Sequence, residues 1–298
     1  MIQGYNPNYL KKIKEFMEVL ILKEQLIEQI MSEVMKNIGK NDKNPVAVTT
    51  KEKVLDKQCS KEDTTSTSKH CGLTEFVGTA LGDTIGLVIA NVDSALHEAM
   101  NIDKKYRSIG IIGGRTGAGP QIMAADEAVK STNTEIIAVE LPRDTKGGAG
   151  HGSLIIFGAD DVSDVRRAVE ITLKELDRTF GDVYGNDAGH IELQYTARAS
   201  YACNKAFGAP IGKAFGVIVG APAAIGVVIA DTAVKAASVD IVAFCSPAHG
   251  TSFSNECTTL ISGDSGAVRE AVIAAREVGI QLLGTLAETP KSTTTPYI

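Results

Sequence analysis

Ala125-Asp126-Glu127-Ala128-Val129-Lys130 returns one hundred and five residues later as Ala230-Asp231-Thr232-Ala233-Val234-Lys235. The same offset lays Glu135-Ile136-Ile137-Ala138 over Asp240-Ile241-Val242-Ala243, Pro142 over Pro247 and Gly158 over Gly263. After a slip of two residues, Val165-Arg166 meets Val268-Arg269 and Ala168-Val169 meets Ala271-Val272. Residues 122–169 and 227–272 are therefore two copies of one stretch. A period this long indicates duplicated domains rather than a solenoid of short repeats.

Each copy predicts the same order of elements. A helix with a small apolar face comes first, opened in copy one by Pro120, with Asp126 four residues before Lys130 in the orientation that favours an ion pair, which Asp231 and Lys235 repeat. A β-like run follows (136–141; 241–246), then a polar loop, a second run (154–157; 258–262) and a helix rich in Ala, Val, Arg and Glu (162–178; 266–278). Upstream of copy one, Glu75 to Gly78 and Thr84 to Ala90 read as strands, Val92 to Met100 as a short helix capped by Asn91 or Asp93, and Ser108 to Ile112 as a strand. His190 to Arg198, a helix near Ser200 to Phe207 and a strand from Phe215 to Val219 are the counterpart in copy two. The expected fold class is α/β in the α+β sense: two tandem domains, each a small antiparallel-type sheet flanked by helices.

The 298 residues are enough for two such cores. A net charge of −6, with no Lys/Arg cluster in the duplicated region, argues against nucleic acid as a partner. Five cysteines (Cys59, Cys71, Cys203, Cys245, Cys257) have no CxxC spacing, and their odd number argues against a secreted disulfide framework, so a cytoplasmic location is expected. The apolar run 19–22 is too short to span a membrane.

Before the domains, residues 9–38 lack Gly and Pro, and their apolar spacing predicts an amphipathic helix on a flexible tether, 39–71. A sticky helix on a tether is expected to dock on a partner, with Leu26, Ile27, Ile30, Met31 and Val34 as its candidate contact residues. The cluster Gly113-Gly114-Arg115-Thr116-Gly117-Ala118-Gly119-Pro120 lies where a phosphate loop would lie. It lacks the Lys-Ser/Thr of a P-loop and has a different glycine pattern in copy two, so it reads as a strand-to-helix turn that needs glycine for positive φ or close packing.

The chemistry-bearing material is in the polar loop of each copy, 142–153 and 247–256. Its candidates are Arg143, Asp144, Lys146, Gly147, Gly148, His151 and Ser153 in the first, and Ser246, His249, Thr251, Ser252, Ser254 and Asn255 in the second. His151 with Ser153, His249 with Ser252 or Ser254, and Cys245 with His249 could be nucleophile–base pairs, but no carboxylate is evident to orient either histidine. A metal site from Cys245, His249 and Cys257 lacks recognisable spacing. No cofactor, metal or catalytic residue is assigned.

Several longer stretches carry a resemblance. Leu73-Thr74-Glu75-Phe76-Val77-Gly78, Arg115 to Pro120, Leu141-Pro142-Arg143-Asp144-Thr145-Lys146-Gly147-Gly148, Thr179-Phe180-Gly181-Asp182-Val183-Tyr184, Ser246 to Asn255 and Ser262 to Arg269 resemble bacterial microcompartment shell proteins of the circularly permuted, tandem-domain type, in particular those of propanediol utilisation. The resemblance implies an N-terminal extension (1–71), shell domains over 72–181 and 182–290, and a C-terminal tail (291–298). It further implies a homotrimer imitating a six-domain hexagonal tile, joined edge to edge to other shell proteins, with the two polar loops around a pore and passages also possible between the two domains of a subunit. Encapsulated enzymes would bind the N-terminal helix, and a small diol or polyol would cross the pore. A shell of ethanol or ethanolamine utilisation, an iron–sulfur-carrying tile using Cys245, and an enzyme using the His-bearing loops are the competing readings.

Overall fold

In the computed structural model the described residues are 72–143, 151–250 and 254–298. The amphipathic helix and its tether, with Leu26, Ile27, Ile30, Met31 and Val34, lie outside them. So do Asp144, Lys146, Gly147, Gly148, Thr251 and Ser252.

The first half runs β1 (Phe76–Ala80), β2 (Thr84–Ile89), α1 (Ser94–Ala99), β3 (Ser108–Gly114), α2 (Ala118–Lys130), β4 (Glu135–Glu140), β5 (Ser153–Ala159) and α3 (Val162–Thr179). The second half repeats it: β6 (Val183–Asn186), β7 (Gly189–Thr196), α4 (Tyr201–Phe207), β8 (Ala214–Ala221), α5 (Ala223–Ala236), β9 (Val239–Cys245), β10 (Cys257–Gly263) and α6 (Ser265–Leu283), with β11 (Lys291–Ser292) appended. The sheets have the orders β1-β2-β3-β5-β4 and β11-β6-β7-β8-β10-β9, antiparallel at every pairing. The duplication is thus of whole domains, strand for strand.

Each element follows from its pattern. α3 buries Val165, Ala168, Val169, Thr172 and Leu176, spacings of three and four that put one face on the sheet, and Asp161 caps it by accepting the Ser163 N–H at 2.7 Å. α6 repeats this with Val268, Ala271, Val272 and Ala275. β8 is buried at every position, which its run Ala-Phe-Gly-Val-Ile-Val-Gly-Ala permits. Asp93, not Asn91, caps α1, through the Ala95 N–H at 2.8 Å. α2 starts at Ala118 rather than Pro120, entered through Gly117 at φ 77°, a left-handed conformation that favours glycine and accounts for the turn reading of the glycine cluster.

The two sheets share a core. One cluster joins Phe157, Val165 and Val169 of the first domain to Ala202, Phe215, Val217 and Leu260 of the second. α2 and β4 of the first domain pack on α4 of the second, so the apolar core runs on across this part of the seam between domains. The last residues tie into the second domain: Asp182, fully buried, accepts the backbone N–H groups of Tyr297 (2.9 Å) and Ile298 (3.1 Å) and an Arg276 guanidinium N–H at 3.1 Å.

Candidate functional site

Asp126 and Lys130 pair as their spacing predicts, at 3.1 Å, and the aspartate does more than that. Its side chain is fully buried, and its carboxylate accepts the Ser200 N–H at 2.9 Å and the Cys203 N–H at 3.0 Å, capping α4 of the other domain. Lys130 does reach it, at 3.1 Å, but as a half-buried counter-charge also bonded to Glu127. A charge-assisted cap of this kind is stronger than a neutral one. Ser200 makes no side-chain cap of its own, so the first domain supplies what the second lacks. The repeated residue does not repeat the role: Asp231 is exposed and binds Lys235 at 2.6 Å.

Beside that latch the seam turns polar. The first loop ends at His151 and the second at Glu256, and the imidazole Nδ1 of His151 lies 3.4 Å from Glu256 Oε1. His190, entering from β7, places Nε2 3.6 Å from Glu256 Oε2. Two residues on, Glu192 is buried against the backbone of Gly119 at the start of α2. A Cβ at Gly119 would overlap the Glu192 carboxylate, so glycine here is a steric requirement of the site. Gly119, His151, Glu192 and Glu256 border a cavity of about 50 Å³ between the domains, walled also by Ala118, Leu141, Phe207, Val217 and Val219. By volume it accepts a few water-sized groups.

The two carboxyls are held in different states. Burial, reinforced by the Glu256 charge, pushes Glu192 up to about 7, against the opposing pull of His190, His151 and the Gly119 N–H. Burial also acts to raise Glu256, but hydrogen bonding from His151 and His190 outweighs it and lowers the group to about 2. At neutral pH the site thus offers one fixed carboxylate and one carboxyl poised between donor and acceptor.

Of the loop residues expected to form the site, His151 lies in this cluster, while Ser153 is buried in β5. Ser254 flanks Glu256, accepting its N–H at 2.8 Å, and Asn255 accepts the Ala223 N–H at 3.3 Å, closing the loop onto α5. Ser246 and His249 exchange backbone hydrogen bonds at 2.8 and 3.1 Å in a tight turn, with His249 exposed, and Arg143 is exposed at the edge of the first loop. Cys245 and Cys257 are buried thiols, and among the described residues no group of three or more His, Cys, Asp or Glu is arranged to hold a metal ion. Nor is any described helix long and apolar enough to cross a membrane.

Sequence reasoning passed over Glu192, His190 and Glu256. The signal for Glu192 was its place in a strand: an acid between Ile191 and Leu193, both buried, with Gln194 and Thr196 on its own face, is costly without partners.

Residues 108–187 and 214–290 each match the BMC domain family. The chain is 64% identical over 274 residues to the bacterial microcompartment shell protein PduB of Citrobacter freundii, covering 92% of this chain and 98% of that one. A crystal structure of a trimeric bacterial microcompartment shell protein PduB is similar at TM-score 0.73 and 56% identity, over 76% of this chain and all of that one. EtuB from Clostridium kluyveri is similar at TM-score 0.74 and 57% identity, over 76% and 99%.

Proposed function

The chain belongs to the BMC domain family, and we propose on that basis that it is a structural tile of a bacterial microcompartment shell, of the kind that serves propanediol utilisation. The observation that carries this is the pairing of a strand-for-strand duplicated domain with 64% identity to a shell protein of that kind over 92% of the chain. The nearly full-length match favours the propanediol reading over an ethanol compartment. Three copies of a two-domain chain make a six-domain ring, and rings of that outline tile edge to edge. The N-terminal segment, with its apolar spacing at Leu26, Ile27, Ile30, Met31 and Val34, joins shell to enzyme cargo. Electron microscopy of the purified full chain tests the tile: hexagonal sheets are expected, and discrete monomers would refute it.

Solute crosses between the two domains, past His151, Glu192 and Glu256. A diol leaving water forfeits hydrogen bonds worth about 1–3 kcal/mol for each group left unpaired. The ionised Glu256 accepts from its hydroxyls, and Glu192 accepts or donates according to its proton. An aldehyde, with no hydroxyl to donate, recovers less. Selectivity arises without covalent chemistry. Gly119→Ala, whose Cβ would displace the Glu192 carboxylate, is expected to abolish saturation-transfer NMR contacts of propane-1,2-diol while leaving the sheet intact. Unchanged contacts in that variant would place the solute elsewhere, for which the loop segments 144–150 and 251–253 are the alternative.

A further inference from the structure

The second copy carries acids that its fold does not ask for. Gly113 pairs with Ile85 and Leu154 as Val219 pairs with Glu192 and Thr258, so the first copy builds the same strands with Ile85 at the position of Glu192. Two residues before Leu154 it has Gly152, where the second copy has Glu256 two residues before Thr258. A buried carboxyl costs stability unless it is paired or hydrogen-bonded, and an apolar side chain in its place does not. The strands form without either acid, so the role of Glu192 and Glu256 lies in the cavity they border, not in the sheet.

Around that cavity α2 presents the Gly119 N–H, β8 the apolar Val217 and Val219, α4 the apolar Phe207 and β10 the Thr258 hydroxyl. Titratable groups face Glu192 from three positions: His190, two residues back on the same face of β7, His151 at the end of the first loop, and Glu256 just before β10. Glu256 has an imidazole nitrogen within 3.6 Å of each of its oxygens, and these hold it ionised. Glu192 is held by the Gly119 N–H, and its proton is free to come and go. Burial, reinforced by the Glu256 charge, puts that exchange near pH 7, so a small drift about neutrality changes what the cavity offers.

We propose that the proton on Glu192 selects the class of solute this cavity holds: ionised, Glu192 joins Glu256 in accepting the two hydroxyls of a vicinal diol, and protonated, it donates to the carbonyl oxygen of an aldehyde or ketone. The inference rests on the solute reading above and adds the switch to it. A vicinal diol carries two O–H donors and meets two carboxylate acceptors only in the ionised state. A carbonyl compound has no O–H to give, and it gains an acid O–H partner only in the protonated state. Solvent balances the exchange: diol uptake releases the Glu192 proton to water, and carbonyl uptake draws one back. His190 is the wetter end of the cluster, with 23% of its side chain exposed against 3% for Glu256.

Saturation-transfer NMR on the full-length protein, with propane-1,2-diol and acetone as separate probes between about pH 5.5 and pH 8.5, reads the switch. As pH rises the dissociation constants are expected to move in opposite directions, about fivefold tighter for the diol and about fivefold weaker for acetone, one hydrogen bond each way. In Glu192→Gln, whose amide donates and accepts at every pH, the opposed trends are expected to vanish; any trend left there is common to both probes and belongs to His151 and His190. A shared trend in the wild type, or opposed trends that survive in Glu192→Gln, would overturn the switch and leave the passage. Contacts from neither probe at any pH would remove both. The wild-type comparison decides by itself if the variant does not fold.

Discussion

α2 and α5 are the same helix twice, and they live in different places. α2 buries Gly119 through Asp126 without a break, together with Ala128, one side on its own sheet and the other on the second domain. α5 buries Ile225, Gly226, Ile229, Ala230 and Ala233 and leaves Val227 and Val228 outside. Yet α5 is no more polar than α2. A surface helix normally places charged residues on its outer face. The missing polarity on α5 is what a face covered on association would have, whereas the same face of α2 is covered within the chain.

The sharpest break in that comparison is a charge at equivalent positions. Met123→Asp buries an unpaired carboxylate in the core, which costs upward of about 4 kcal/mol and is expected to give insoluble or unfolded chain. Val228→Asp puts the same charge on a surface of the isolated chain, so folding survives and association is lost; purification yield and thermal melts distinguish the two. Next in size is the aspartate pair. Asp126→Ala strips the cap from α4 and leaves the half-buried Lys130 with Glu127 alone as its counter-charge, a loss of about 3 kcal/mol by urea titration. Asp231→Ala removes only an exposed ion pair, a change of about 0.5 kcal/mol or less. Equal effects at the two positions would mean that Asp231 also caps a helix, across the seam between chains.

A third test concerns Glu192, present in one copy only. Its folded carboxyl, at about 7, lies above the ordinary value of 4.5. The folded state therefore holds the proton more tightly than the unfolded state. Whatever stability that retention contributes is complete below pH 4.5 and is lost as pH rises through about 7. Glu192→Gln keeps an acceptor for the Gly119 N–H and has no proton to lose. The variant should gain on the wild type between about pH 5 and pH 7.5, by on the order of 2 kcal/mol, and hold a constant difference above that. The difference between the two pH profiles reads the proton of Glu192 together with its coupling to the charged groups beside it. A flat difference would show Glu192 to be ionised throughout.

The duplication, the order of elements along each copy apart from β6, and the strand-to-helix turn at Gly113 to Pro120 were legible because they rest on periodicity and glycine placement, which are local. The site was not. Loop polarity led to His151, but the residue it meets, Glu256, and those beside it, His190 and Glu192, come from the other domain and become neighbours only when β7, β10 and α2 are packed. The second role of Asp126 was hidden for the same reason. Its i,i+4 spacing to Lys130 is real, yet sequence cannot register that α4 of a second domain presents two backbone N–H groups to it.

The measurement that bears most directly on the central claim is the solution mass of the full-length wild-type protein, whose chain is 31.4 kDa. A covered α5/β9 face predicts a single species of three times that mass, independent of concentration across the micromolar range. A stable monomer, soluble with Val227, Val228, Ile241 and Phe244 in water, would contradict it.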